Sequence, residues 1–201
     1  MYDIENMMKA RKDSPLVLVS YPRTGSHWVR YVVELYTGIP CAPRAFIHDK
    51  PASVWGVHVH DRFCTDVLYD NVLYLYRNPV DTIFSQVRYL HGPRYNDDDV
   101  GKIKKEYSNH LAKYMGSAKL KASYDDLKAC PITGFSDVLH FIGVQVVDEE
   151  LLKHALETTT KNEIRRVSES YDTKVLVCGD RYEEERVLFY KRHKAEIEST
   201  T

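Results

Sequence analysis

Residues 20 to 28 read SYPRTGSHW and join two apolar stretches of the chain. Residues 16–20 (LVLVS) are short and apolar with β-branched side chains, a pattern that predicts a buried strand. Residues 26–37 predict a helix that Ser26 caps and Gly38 ends. A turn of Pro, Gly, Ser and Thr between a strand and a helix is where α/β proteins hold phosphate. The segment therefore predicts an anion site at the carboxyl end of the first strand.

Strand and helix patterns alternate along the rest of the chain. Residues 39–53 and 91–99 are rich in turn-forming residues and predict loops. Strands separated by helices pair in parallel and are covered on both faces. The sequence thus predicts a single α/β domain, residues 1–201, with a central parallel sheet flanked by helices on both faces. The further predicted strands are 54–60, 71–79 and 118–124, and the further predicted helices are 79–89, 100–116, 133–142, 148–157 and 182–196.

The composition argues against several classes of protein. Lys plus Arg is 28 and Asp plus Glu is 29, so the chain lacks the basic surplus of a dedicated nucleic-acid-binding protein. No apolar run approaches the roughly 20 residues that a membrane-spanning helix needs, and the polar residues 1–15 do not resemble a signal peptide. The cysteines form no CxxC pair and are expected to be reduced thiols: Cys41, Cys64, Cys130 and Cys178. We therefore expect a cytoplasmic protein.

The 20–28 segment offers several groups to an anion. Gly25 lets the backbone approach a ligand closely, and Arg23 adds a fixed charge with a fork of donors. Thr24 and Ser26 add hydroxyls, and Trp28 has a ring on which a base can stack. The segment lacks the Gly-Lys pair of GxxxxGK[ST], so it differs from the usual phosphate loop. An ordinary strand-to-helix turn is the alternative.

A second anion-binding pattern begins at the end of the third predicted strand. Arg77 and Asn78 close that strand, and Pro79 suits the first turn of a helix. Ser85 lies eight residues after Arg77, which is about two turns into that helix. Arg77 and Ser85 are therefore placed to converge on one anion.

Three fragments, taken together and in order, resemble the cytosolic sulfotransferase family, which uses 3'-phosphoadenosine 5'-phosphosulfate (PAPS) as sulfuryl donor. YPRTGSHW is similar to the family's YPKSGTTW, and YLYRNPVDTIFSQVRY is similar to its RNPKD motif with a following serine. ASYDDLKACPITGFSDVLHFIGV, residues 122–144, is similar to its YEDLK segment and the helix after it. The resemblance spans residues 16–144 and implies a P-loop-NTPase-like sulfotransferase fold.

The resemblance also implies how the donor binds. Arg23 stands where the family usually has Lys, and it would contact the 5'-phosphate and the bridging oxygen. Backbone and side-chain donors of the following four residues would wrap that phosphate. Trp28 and Tyr124 would flank the adenine. Arg77 and Ser85 would bind the 3'-phosphate, which distinguishes PAPS from ATP. The four wrapping residues are Thr24, Gly25, Ser26 and His27.

His58 falls where the family has its catalytic base. His60 is the rival candidate, because a strand's period of two puts both side chains on one face. A neutral histidine there would accept the proton of a hydroxyl or amine on a small-molecule acceptor, and 3'-phosphoadenosine 5'-phosphate (PAP) would be the product. No metal is expected to take part, because arginines and backbone dipoles supply the positive field. Tyr89 and Tyr95 are expected to line the acceptor pocket, while the sequence leaves the acceptor and the oligomeric state open.

Besides Arg23, the chain departs from the family pattern in three places. Gly56 stands where a Lys is common, His27 replaces a hydroxyl residue, and the late RKG motif is not evident, with Lys174 or Arg181 as its candidates. Three alternatives therefore stay open. They are a P-loop-like nucleotide kinase, a catalytically inactive protein that binds PAPS or PAP, and a metal site built from His58, His60 and His48.

Overall fold

A five-stranded parallel sheet forms the centre of the protein. The structure is a computed structural model that describes residues 16–47, 53–168 and 180–199. The strands lie in the order β2–β3–β1–β4–β5, and every neighbouring pair is parallel. The predicted parallel sheet is confirmed, and the carboxyl ends of all its strands lie at one edge. The strands are β1 (Val17–Ser20), β2 (Cys41–Ala42), β3 (Gly56–Val59), β4 (Val72–Tyr76) and β5 (Leu120–Ser123).

Helices cover both faces of this sheet, as predicted. Leu18 and Leu73 point to one face and pack against α1, α5 and α6. Val17 and Val19 point to the other face and pack with Tyr114 of α3. In the described residues the helices are α1 (Ser26–Thr37), α2 (Pro79–His91), α3 (Asp97–Ser117), α4 (Tyr124–Ala129), α5 (Pro131–Phe141), α6 (Glu149–Thr158), α7 (Lys161–Ser168) and α8 (Asp180–Glu198), and a 3₁₀ turn, Gly92–Arg94, joins α2 to α3.

The strand order reverses at β1. The chain leaves β1 through α1 to build β2 and β3 on one side, and it then crosses to β4 on the other side. In open α/β sheets the ligand crevice lies outside the carboxyl ends of the strands at such a reversal. The end of β1 at Ser20 therefore lies between the end of β3 at Val59 and the end of β4 at Tyr76.

Asparagine caps fix the starts of α2 and α3. The side chain of Asn78 accepts hydrogen bonds from the backbone N–H groups of Val80 and Asp81, at 2.9 Å and 3.2 Å. Asn96 and Asp99 form a reciprocal capping box, with each side chain accepting from the backbone N–H of the other. Because of this box α3 begins at Asp97, three residues before the predicted start at 100.

Four local predictions were wrong or incomplete. Ser26 does not cap α1: Gly25 precedes the helix with a left-handed φ of 97°, and Ser26 is the first helical residue. The predicted loop 39–53 contains β2, which is too short to show a period and exists because it pairs with β3. Helices α4 and α7 were not predicted, because both are short and α4 follows β5 without a turn.

A buried carboxylate ties α1 to the segment that leaves β2. Glu34 is fully buried, and its oxygens accept hydrogen bonds from the backbone N–H groups of Phe46 and Ile47 at 2.7 Å and 2.9 Å. One turn earlier, the Arg30 guanidinium donates to the carbonyl oxygens of Cys41 and Arg44. These contacts hold residues 41–47 against the middle of α1.

Replacing Glu34 by Ala should lower the free energy of unfolding by about 2–3 kcal/mol, because two backbone donors lose a charged acceptor and a buried cavity opens. Urea unfolding monitored by circular dichroism measures the change. Glu157→Ala removes an exposed glutamate on α6 and is the matched control. Equal losses in the two variants would show that the Glu34 contacts contribute nothing.

Candidate active site

The carboxyl edge of the sheet gathers residues from four strands. Ser20 ends β1, His60 follows β3, Arg77 follows β4, and Tyr124 follows β5. Because all of these strands are parallel, their ends surround the loop between β1 and α1. The two sequence patterns that predicted anion sites therefore lie in one place.

The loop between β1 and α1 turns through two left-handed residues. The φ angle is 73° at Arg23 and 97° at Gly25. Thr24 is fully buried, and its hydroxyl donates to the carbonyl oxygen of Tyr21 at 2.8 Å, so its side chain serves the loop itself. The loop leads into the amino end of α1 at Ser26, where free backbone N–H groups and the helix dipole favour an anion.

Arg23 connects this loop to helix α2. Its Nε donates to Oγ of Ser85 at 3.1 Å, and its guanidinium lies over the ring of Tyr89, 5.0 Å from the centroid. An Arg77 N–H group points at the carbonyl oxygen of Arg23 at 3.5 Å. The residues expected at the two phosphates of the donor are therefore contiguous.

The Arg77 side chain has unused hydrogen-bonding capacity. One of its terminal nitrogens lies 3.5 Å from a carboxylate oxygen of Asp81, and its guanidinium lies over the ring of Tyr124 at 4.8 Å. Its Nε is buried and has no hydrogen-bond partner among the described residues. A buried donor without an acceptor is costly, so this atom suits an anionic ligand.

Trp28 and Tyr124 pack edge to face beside the loop. Their ring centroids are 5.5 Å apart at an interplanar angle of 76°. Nε1 of Trp28 donates to Oγ1 of Thr159 at 3.2 Å, which fixes the orientation of the indole. A Cβ at Gly25 would lie 2.3 Å from the Tyr124 ring, so only glycine lets this ring pack on the loop. The structure thus brings both predicted adenine-binding residues to the start of α1.

Ser20 joins the two candidate bases. Its hydroxyl lies 2.9 Å from Nε2 of His58 and 3.3 Å from Nδ1 of His60, and its carbonyl oxygen lies 3.1 Å from the same Nδ1. A carbonyl oxygen only accepts, so the network assigns the proton to Nδ1 of His60. The Ser20 hydroxyl is also hydrogen-bonded to Nε2 of His58, and the tautomer of His58 sets the direction of that bond. Nε2 of His60 keeps its lone pair, whereas Nε2 of His58 is occupied.

The surroundings of both histidines favour the neutral imidazole. Burial, followed by the positive charge of Arg30, lowers the pKa of His58 well below 6.5. Burial also lowers the pKa of His60, against the opposing effect of its hydrogen bond to the Ser20 backbone, and His60 is the more exposed of the two. Burial and the nearby Arg30 and Arg44 lower the pKa of His27 to about 3, so His27 brings no positive charge to a phosphate.

Position 56 has no room for the lysine that is common in the family. A Cβ at Gly56 would lie 2.8 Å from the backbone oxygen of Leu16. Of the candidates for the missing RKG motif, Arg181 is exposed and pairs with Glu185 within α8. Arg186, one turn further along α8, donates instead to Asp81 at 2.8 Å. The C-terminal helix therefore brings a different arginine near the second anion site.

The sequence interpretation missed Ser20, Arg30 and Arg186. Ser20 was read only as the last residue of a strand, although its place at the strand end was visible. Arg30 is a buried cation inside an apolar helix, which was the available signal for a polar role. Arg186 lies in a strongly charged helix in which nothing local distinguishes it.

Several expectations concern residues outside the described ranges, namely residues 1–15, His48, Lys174 and Cys178. Cys41, Cys64 and Cys130 are free thiols. Across residues 16–47, 53–168 and 180–199, no group of three or more His, Cys, Asp or Glu side chains is arranged to hold a metal ion. No helix in these ranges has the length and apolar character to cross a membrane.

Comparison with known proteins gives the fold. No protein-family model matches the chain, and no curated protein matches its sequence. The crystal structure of mouse sulfotransferase SULT7A1 complexed with PAP is similar to it, with a TM-score of 0.64 and 17% sequence identity over 98% of this chain and 92% of that chain. The protein therefore has the sulfotransferase fold, and the predicted fold class is confirmed.

A buried histidine supports His60 from the side of α3. His110 is fully buried, and its Nε2 donates to the carbonyl oxygen of His60 at 3.0 Å. Its Nδ1 then accepts from the hydroxyl of Tyr74, also at 3.0 Å. Burial lowers the pKa of His110 to about 4. This neutral imidazole fixes the backbone of the residue that carries one candidate base.

His110→Gln should flatten the pH dependence of stability. An unfolded histidine titrates near 6.5, so between about pH 6.5 and 4 the unfolded wild type binds one more proton at this position than the folded protein. Its contribution is fully present above about pH 6.5 and is lost as the pH falls. We expect the slope of unfolding free energy against pH to decrease by up to about 1.4 kcal/mol per unit.

Urea unfolding at pH 7.5, 6.0 and 5.0 measures this slope for the wild type and His110→Gln. His154→Gln removes an exposed histidine on α6 and is the control for the loss of one imidazole. Parallel curves for the wild type and His110→Gln would contradict the assignment of a proton uptake to His110.

Proposed function

We propose that this protein is a PAPS-dependent sulfotransferase that moves a sulfuryl group to a hydroxyl or amine of a small-molecule acceptor. One observation carries the proposal: Arg23 of the first motif and Ser85 of the second are in direct contact at the carboxyl edge of the sheet. One nucleotide with two phosphates is therefore able to span both motifs. The similarity in fold to a sulfotransferase complexed with PAP supports the same reading.

In this proposal, different residues bind the 5'-phosphate, the adenine and the 3'-phosphate of the donor. The backbone N–H groups at the start of α1, from Gly25 onward, hold the 5'-phosphate. Trp28 and Tyr124 flank the adenine, with Trp28 held by its hydrogen bond to Thr159. Arg77 and Ser85 hold the 3'-phosphate, and the buried Nε of Arg77 gains an acceptor.

The transfer is an in-line displacement at sulfur. A bond forms between the acceptor oxygen or nitrogen and sulfur as the bond between sulfur and the 5'-phosphate oxygen breaks. The acceptor proton passes to a histidine, and the negative charge develops on the departing phosphate oxygen of PAP. Backbone N–H groups of the loop and the helix dipole of α1 stabilise that charge, as in phosphoryl transfer.

Of the two histidines, the hydrogen bonds favour His60 as the base. Nε2 of His60 keeps a lone pair and the residue is exposed, whereas Nε2 of His58 is engaged in a hydrogen bond with the Ser20 hydroxyl. His58, which the family resemblance favours, then orients Ser20 and through it His60. The lowered pKa of each histidine keeps both neutral at pH 7, as a base requires.

Binding experiments test the donor assignment. The wild type should be stabilised more strongly by PAP than by Mg-ATP in a thermal-shift titration, because only PAP has a 3'-phosphate for Arg77 and Ser85. Arg77→Ala should weaken PAP binding at least about 10-fold, since a charge-assisted hydrogen bond contributes about 1.5–3 kcal/mol. Stronger stabilisation by Mg-ATP would favour the nucleotide-kinase alternative.

Turnover experiments test the base. His60→Ala should reduce turnover with PAPS at least about 100-fold and leave PAP affinity nearly unchanged, because a general base contributes about 10²–10⁴. His58→Ala should reduce turnover less. If His58→Ala is the inactive variant and His60→Ala is not, the family assignment holds and the hydrogen-bond argument is wrong.

An inactive protein that binds PAPS or PAP is the second candidate. The crowding at Gly56 favours it, because it leaves no space for the lysine that is common there. PAP binding without turnover over a panel of phenols, alcohols, sugars and amines would support this candidate.

A further inference from the structure

Both the side chain and the carbonyl oxygen of Arg23 contact residues of the second anion site. Its Nε donates to Ser85, and its guanidinium lies over Tyr89 one helical turn further along α2. Its carbonyl oxygen faces Arg77 at 3.5 Å. Both ends of the residue are thus held by the elements that carry the second motif. The family resemblance alone would direct this side chain to the 5'-phosphate.

The backbone of Arg23 supports this orientation. A φ of 73° is uncommon for a residue with a side chain, and it persists only where surrounding contacts hold it. Here the contacts with Ser85, Tyr89 and Arg77 do so. From this position the Arg23 side chain extends to α2.

The charge balance at the second anion site favours a further positively charged side chain there. A phosphate monoester carries about −1.5 to −2 charges at pH 7. Asp81, which pairs with Arg77 at 3.5 Å and with Arg186 at 2.8 Å, takes up part of the positive charge of both. The 5'-phosphate of PAPS carries a single charge of its own, and the amino end of α1 supplies backbone donors for it.

We propose that Arg23 binds the 3'-phosphate together with Arg77 and Ser85, and that it thereby makes the site specific for a nucleotide phosphorylated at the 3' position. Arg23 takes the place of the basic residue that the missing RKG motif would supply. This inference rests on the proposed function and deepens it, because it assigns a specificity-determining residue within the donor site.

Calorimetry with three nucleotides separates the two possible roles of Arg23. PAP has both phosphates, 5'-AMP has only the 5'-phosphate, and 3'-AMP has only the 3'-phosphate. Arg23→Gln should weaken PAP and 3'-AMP by a similar factor of about 10 or more, while 5'-AMP affinity changes less than about two-fold. Arg94→Gln removes an exposed arginine from the 3₁₀ turn and is the matched control.

A double-mutant cycle tests whether Arg23 and Ser85 act on the same phosphate. The loss of PAP affinity in Arg23→Gln/Ser85→Ala should be smaller than the product of the two single losses, because each variant disrupts the same contact. Arg23→Lys keeps the positive charge but lacks the planar guanidinium group with its several N–H donors. This variant should weaken the binding of PAP and 3'-AMP to an intermediate extent. Far-ultraviolet circular dichroism identifies any variant that fails to fold, and Arg23→Lys is then the deciding variant.

The outcomes distinguish this inference from the proposed function. If the wild type prefers PAP to 5'-AMP but Arg23→Gln weakens both by equal factors, Arg23 serves the 5'-phosphate and the inference alone fails. Unchanged PAP affinity in Arg23→Gln overturns it as well. A wild type that does not prefer PAP to 5'-AMP overturns the proposed function and the inference together.

Discussion

The parallel pairing of β1 with both β3 and β4 is the constraint on which the rest of the site depends. Leu18 of β1 lies beside His58 on one side and beside Leu73 on the other. This register brings the ends of three strands to one edge, and each end carries a different chemical group. A slip of one residue in either pair would turn His58 or Tyr74 to the opposite face and separate the groups.

Burial and positive charge act together on the histidines at this edge. Burial is the main cause that lowers the pKa of His27 and His58, and the charges of Arg30 and Arg44 act in the same direction. Positive charge that disfavours protonated histidine also attracts an anion, which agrees with the proposed phosphate site. The carbonyl oxygens of Cys41 and Arg44 hold the Arg30 guanidinium, and Glu34 ties the same segment to α1.

The surroundings of Gly56 and Arg23 explain why these two positions differ from the sulfotransferase motifs that the sequence resembles. Gly56 sits against the backbone of Leu16, so the space that a lysine needs is absent. Arg23 differs from lysine in having a planar fork with an Nε–H donor, and that donor is the group that reaches Ser85. Gly56 and Arg23, which are far apart in the sequence, are therefore the two positions at which local packing and contacts differ from what the resemblance implies.

The sequence by itself determined the alternation of strands and helices, the parallel sheet and the order of the motifs, because apolar periodicity, Asn78-Pro79 and Gly38 act over a few residues. It also indicated the residues at the carboxyl edge, from Arg23 to Tyr124. Only the tertiary structure decided that Ser20 lies between His58 and His60, that Arg23 reaches Ser85, and that Arg186 reaches Asp81. These contacts join residues 38 to 105 positions apart, and no local pattern encodes the direction of a side chain across such a distance.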